Sequence, residues 1–162
     1  MSPLRLLCTP VALLCMLLPM AATAATAAKP THPQLRVTTL DGQNFDLAAQ
    51  RGHWVIVNYW ATWCAPCIKE MPDISHFVAS HKNVRAIGLA YQDNDVAEIK
   101  AFLLKHPVDY PIAQIGLDHP PADFEEPRGL PTTWIIDPAG KVAAHIVGPL
   151  TPAKLDAVIG GK

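Results

Sequence analysis

An almost unbroken apolar run, Trp54-Val55-Ile56-Val57-Asn58-Tyr59-Trp60, leads within four residues to the pair Cys64-Ala65-Pro66-Cys67 and then into a helical pattern. No other stretch limits the fold as much. A run apolar on both faces reads as a central strand covered on each side. It delivers two thiols to the first turn of a helix, where positions i and i+3 share a face. Their Cα atoms then lie roughly 5 Å apart, inside the ~4.4–6.8 Å range that a disulfide requires. Closing so short a loop removes little entropy from the unfolded chain, so the bridge adds little stability. Reversible redox chemistry accounts for the pair better than a structural staple does.

Cys64 falls at a helix N-terminus, where unpaired N–H groups and the helix dipole favour an anion. This makes Cys64 the expected attacking thiolate, with Cys67, one turn inward, resolving the mixed disulfide. Ala65 and Pro66 add no positive charge. The thiolate is therefore expected to be moderately stabilised, with a pKa nearer ~7 than the ~3.5 of a strongly oxidising pair. A less stabilised thiolate points to a reductant. The competing reading is half of a structural zinc site. Zinc takes four ligands, and no second C-x-x-C or paired histidines stand ready: His32, His53, His76, His81, His106, His119 and His145 are scattered. No metal is expected.

The chain has 162 residues and 50% hydrophobic content, enough for one core in one domain. Its 13 basic and 14 acidic residues nearly balance, which argues against a nucleic-acid partner. Residues 1–28 read as an export signal: Arg5, the apolar run Leu6 to Met20, then the Ala/Thr tract Ala21 to Ala28, with cleavage expected between about residues 24 and 28. The alternative is an uncleaved membrane anchor, since Leu6 to Ala28 is just long enough to span a bilayer. Pro10, Pro19 and the weakly apolar tail count against it. Cys8 and Cys15 lie inside this segment, and neither follows the small residue that a lipidation signal wants. Removal of the signal leaves Cys64 and Cys67 as the sole thiols of a periplasmic or otherwise extracytoplasmic protein, a redox pattern rather than a disulfide scaffold.

Residues 29–34 form a linker, and 35–162 the folded domain. Leu35 to Leu40 alternates apolar and polar residues before Asp41-Gly42, which predicts a short hairpin. Phe45 to Arg51 predicts a helical turn ended by Gly52. The helix after Cys64 carries an inward stripe of Ile68, Met71, Ile74, Phe77 and Val78, with Pro72 expected to kink it. Val84 to Tyr91 is the next strand. Asp93-Asn94-Asp95 caps a helix that turns Val96, Ile99, Phe102 and Leu103 inward and ends at Pro107. Tyr110 to Ile115 predicts a short strand, and His119 to Arg128 a loop or short helix. Thr132 to Ile136, the turn Asp137–Gly140 and Lys141 to Val147 form an antiparallel pair. Thr151-Pro152 opens a final helix. The order is that of an α/β fold.

The string Asn58-Tyr59-Trp60-Ala61-Thr62-Trp63-Cys64-Ala65-Pro66-Cys67-Ile68-Lys69-Glu70-Met71-Pro72 resembles the active site of the TlpA/ResA type of thioredoxin-like thiol–disulfide oxidoreductase. Gly129-Leu130-Pro131-Thr132-Thr133-Trp134-Ile135-Ile136-Asp137-Pro138-Ala139-Gly140-Lys141-Val142 is similar to the second signature of that family. The resemblance covers about residues 35–160. It implies a thioredoxin fold with an N-terminal β-hairpin extension and a central helix–strand insertion within Val84 to Ile115. It also implies that Pro131 is a cis-proline facing the disulfide and that the backbone of Leu130 pairs with a substrate chain. Trp63 and Pro66 would edge the same substrate surface, while Trp60 and Trp134 belong to the core. Asn58 stands where thioredoxin has a buried acid, so that proton acceptor is missing. Glu70 resembles the glutamate that these relatives place near the cysteines, which would take a proton from Cys67. The competing reading is a solvated helix charge beside Lys69.

The expected activity is reduction of disulfides in other exported proteins by a monomer, through the catalytic residues Cys64, Cys67 and Glu70. The chain carries no flavin or nicotinamide fingerprint, so no cofactor is expected. The resemblance implies a membrane thiol oxidoreductase as electron donor and cytochrome c maturation, with apocytochrome c as client. The rivals are a disulfide-forming oxidase or isomerase, a metal-binding module or copper chaperone, and a thiol peroxidase.

Overall fold

The run Trp54–Trp60 forms a strand, β3, buried along its whole length at the centre of a five-stranded sheet. In this computed structural model, which describes residues 30–160, the sheet order is β5-β4-β3-β6-β7, with β4 at Val84–Tyr91, β5 at Ile112–Ile115, β6 at Thr132–Ile136 and β7 at Val142–Val147. The segment read as an export signal lies outside the described residues. β3 pairs in parallel with β4, and β4 with β5, whereas β6 and β7 are antiparallel. Parallel neighbours need a crossover. The helices α1 (Ala65–Ser80) and α2 (Val96–Lys105) supply the two. The antiparallel pair needs only the turn Asp137–Gly140, closed by Gly140 N–H to Asp137 O at 2.7 Å. Gly140 has φ +83°, a backbone conformation that glycine adopts far more readily than other residues.

The predicted hairpin forms from β1 (Arg36–Thr38) and β2 (Asn44–Asp46). Its turn lies against the outer edge of β5, through Leu40 N–H to Ile112 O at 2.7 Å and a bridge between Thr39 and Ala113. The helical turn expected from Phe45 is shorter. Phe45 belongs to β2 and is buried, and a 3-10 turn spans Leu47–Gln50, capped by Asp46 accepting from Ala48 N–H.

Each face of the sheet has its own core. On one, Ile56 and Trp60 meet Met71, Ile74 and Phe77 of α1, Ile99 of α2, and Leu155 and Ile159 at the C-terminus. Leu155 ends the short helix α3 (Pro152–Leu155), capped by Thr151, and a π-helical turn follows over Asp156–Gly160. α1 runs on through Pro72, which lies on the solvent side. Val96, expected inward, is exposed: it opens α2 one turn before the first buried contact, Ile99. Tyr110 is buried but precedes β5 rather than belonging to it.

The second face, with Val55, Val57, Tyr59, Ile87 and Leu89, is covered by Phe45, by Leu47 of the 3-10 turn and by Phe124, and by no α-helix among the described residues. Phe124 lies in the 119–128 segment, which is neither helix nor strand. Its ring stands edge-on to Trp134 at 5.3 Å. The loop thus serves as a wall of the core. Phe124→Ala is expected to cost about 3 kcal/mol of stability, read as a lowered urea midpoint. A loss under about 1 kcal/mol would show that the loop does not carry that burial.

Candidate active site

The register brings the chemistry to one end of the sheet. Trp60, the last residue of β3, lies beside Ala90 near the end of β4, and Tyr59 lies opposite Thr132 at the start of β6. The turn from Ala61 to Cys64 therefore emerges where the chain enters β6 from Leu130-Pro131. Cys64 closes the turn through its N–H to Ala61 O at 3.1 Å and is the N-cap of α1 in extended backbone conformation.

Cys64 and Cys67 form a disulfide with Cα atoms 5.3 Å apart. Cys64 Sγ also accepts from Cys67 N–H at 3.3 Å, one of the donors that a helix start leaves unpaired. The first turn of α1 holds Ala65 and Pro66 and no acid. A thiolate at this position meets helix N–H groups and a positive dipole end, with no like charge beside it. Cys64 is 5% exposed and Cys67 fully buried, so an outside sulfur meets Cys64 first.

The Leu130–Pro131 bond is cis. Pro131 is buried, and its carbonyl accepts from Gly148 N–H at 2.8 Å, tying the entry of β6 to the end of β7. Leu130 is half-buried and Pro66 exposed. Trp63 is 69% exposed, an unusual position for so large an apolar ring. Trp60 and Trp134 are core residues.

Glu70 is buried, unlike its exposed neighbour Lys69, which removes the reading of a solvated helix charge. It lies one turn beyond Cys67 on the inward side of α1. Its carboxylate accepts from Asn58 Nδ2 at 2.8 Å and from Leu150 N–H at 2.6 Å. Asn58 Nδ2 donates also to Thr133 Oγ1 at 2.9 Å. Burial pushes the Glu70 carboxyl up to about 7, against the pull of Leu150 N–H and the Asn58 amide. A carboxyl at that value holds and releases a proton near neutral pH.

The sequence pointed to Asn58 and Glu70 but not to Thr133 or Leu150. Thr133 faces Asn58 through strand register, which is readable only once β6 is placed beside β3. Leu150 contributes a backbone N–H, for which no side-chain signal exists. Among the described residues, no group of three or more His, Cys, Asp or Glu side chains is placed to hold a metal, and no helix is long and apolar enough to cross a membrane.

Comparison with known proteins agrees with this geometry. A profile of the AhpC/TSA family matches residues 29–145. The thiol–disulfide oxidoreductase ResA of Bacillus anthracis is 33% identical over 126 residues, spanning 76% of this chain and 72% of the relative. ResA of Bacillus subtilis (strain 168) is 28% identical over 127 residues, spanning 76% and 69%. The crystal structure of a thioredoxin-family thiol:disulfide interchange protein from Chlorobium tepidum TLS superposes with a TM-score of 0.69 at 27% identity, covering 85% of this chain and 98% of that one. The thiol pair at the mouth of α1 and these likenesses agree, and the chain belongs to the AhpC/TSA family as a thiol–disulfide oxidoreductase of the ResA type with a thioredoxin-like fold.

Proposed function

We propose that this protein reduces disulfides in other exported proteins, with Cys64 as nucleophile, Cys67 as resolving thiol and Glu70 as proton acceptor. The observation that carries the reading is the contrast at the start of α1. Cys64 caps the helix and keeps a 5% exposure that Cys67 lacks, and no positive side chain adds to the helix terminus. Thiolate stabilisation by helix N–H groups alone favours a pair that gives up electrons over one that takes them.

In the proposed cycle, the Cys64 thiolate attacks a substrate disulfide. A Cys64–substrate S–S bond forms, and the other substrate sulfur leaves as a thiolate that takes up a proton. Cys67 then passes its proton to Glu70 and attacks Cys64 Sγ, forming Cys64–Cys67 and releasing the second substrate thiolate. Two electrons have moved from the dithiol to the substrate. Trp63, Pro66, Leu130 and Pro131 border the entry and form the surface on which the substrate chain lies. The export signal read in residues 1–28 supports a cycle outside the cytoplasm, with a membrane thiol oxidoreductase returning the electrons. The TlpA/ResA resemblance supports apocytochrome c as the client.

The direct test is a trap. Cys67→Ser, expressed in its own host, should accumulate mixed disulfides between Cys64 and exported proteins that mass spectrometry identifies. Absence of captured exported proteins, at levels no higher than in Cys64→Ser, would contradict the proposal.

The Glu70 role makes a prediction with a definite sign. A carboxyl raised from 4.5 to about 7 by folding favours the folded state relatively more at acid pH, and stability falls as pH rises between those values. Above about 7 Glu70 is largely ionised and accepts a proton. The rate of mixed-disulfide resolution by Cys67 should rise through an inflection near pH 7, and Glu70→Gln should remove both that inflection and the loss of stability between pH 4.5 and 7. An unchanged pH profile in Glu70→Gln would rule out the proton transfer.

A further inference from the structure

Thr62 stands two residues before Cys64 and one before the exposed Trp63, in a turn that neither helix nor strand supports. Its N–H and its hydroxyl both donate to Oε1 of Gln92, at 2.8 and 3.1 Å. Gln92 is 2% exposed. A backbone N–H accepts nothing, so the amide oxygen is the atom that must face Thr62. Nε2 points elsewhere, buried and without a partner in the protein.

Gln92 is itself held firmly. It follows β4 directly, two residues beyond the one that pairs with Trp60. Its N–H reaches Ile115 O at 3.2 Å, and its carbonyl accepts from Gln114 Nε2 at 3.0 Å. The same Gln114 amide nitrogen reaches Asn94 O at 2.6 Å, so the exit of β4 is tied to β5. The β4–α2–β5 segment thus touches the active-site turn through one buried side chain, whose amide oxygen accepts both Thr62 bonds. Gln92 is buried and Thr62 half-buried, so loss of the acceptor leaves two partly covered Thr62 donors without their protein partner.

We infer that Gln92 is a positioning residue for recognition of protein disulfides: it fixes Thr62, and through it the presentation of Trp63 beside Cys64. The inference rests on the reading of Trp63 as part of the substrate surface. The sulfur pair is held by α1, which makes no bond to Gln92. A protein that docks against Trp63 therefore depends on this anchor, whereas a small disulfide that meets only Cys64 Sγ does not.

The test compares reduced wild type, Gln92→Met and Trp63→Ala on oxidised insulin and on dithiobis(nitrobenzoate). Gln92→Met keeps the side-chain length and removes the amide. It should reduce insulin about tenfold less efficiently, through a raised KM, which corresponds to about 1.4 kcal/mol. Its rate with the small disulfide should stay within about twofold, while Trp63→Ala, which removes part of the surface itself, should lose insulin reduction at least as strongly. Equal losses on both substrates, or unchanged insulin reduction in Gln92→Met while Trp63→Ala is impaired, would overturn the positioning role and leave the Trp63 surface standing. Unchanged insulin reduction in Trp63→Ala would instead remove the surface and this inference with it. Thr62→Val deletes only the hydroxyl donor and serves if Gln92→Met does not fold. It should show the same split at about threefold, and no split would overturn the role.

Discussion

The first turn of α1 leaves backbone N–H groups unpaired, and the molecule places a sulfur there to meet them. Cys64 closes the turn from β3, accepts at Sγ from Cys67 N–H and begins the helix. Everything else holds that junction still. β3 is buried on both faces and hydrogen-bonded on both sides, so the residue where the turn begins cannot drift. Met71, Ile74 and Phe77 fix the helix to the sheet along one stripe. A loosely held helix start would present the same N–H groups to water and lose much of their effect on a thiolate.

A second constraint lies one turn deeper. A buried carboxylate is costly unless it is hydrogen-bonded. Glu70 meets Asn58 and Leu150, but these bonds offset burial only in part, and the group is left with its titration near neutrality. The same bonds connect three parts of the chain that are distant in sequence: α1, β3 with its partner Thr133 on β6, and the segment entering α3. The carboxyl thus fastens the helix of the cysteines to β3 and to the segment entering α3, and in the proposed cycle it is also the proton acceptor. Substitution of Glu70 touches both roles, which is why its pH dependence, rather than its bare activity, separates them.

Much of this was legible in the sequence because the relevant signals are local. The apolar run 54–60, the pair of Thr132–Ile136 with Lys141 to Val147 around Asp137–Gly140, and the Thr151-Pro152 helix start each carry their own chemistry, and all form within a residue of where expected. Phe45 went to a strand because hairpin pairing and burial outweigh a marginal helical turn. Val96 fits an inward stripe by spacing, yet a stripe does not tell where the sheet beneath it ends. Phe124 gave no periodic signal at all, since a single aromatic anchoring an irregular loop has no period. At the site, the thiol pair and Glu70 stand in the motif itself. The bonds from Thr133, Leu150 and Gln92 arise from register and backbone, which a linear reading does not supply.

The central claim is that the start of α1 stabilises the Cys64 thiolate to a moderate degree, and titration of the reduced protein by the ultraviolet absorbance of the thiolate tests it most directly. The account predicts one thiol, lost in Cys64→Ser, that ionises near pH ~7, well below the ~8.5 of an ordinary cysteine and well above the ~3.5 of a strong oxidant. Two thiols that both ionise at or above about 8.5 would contradict it.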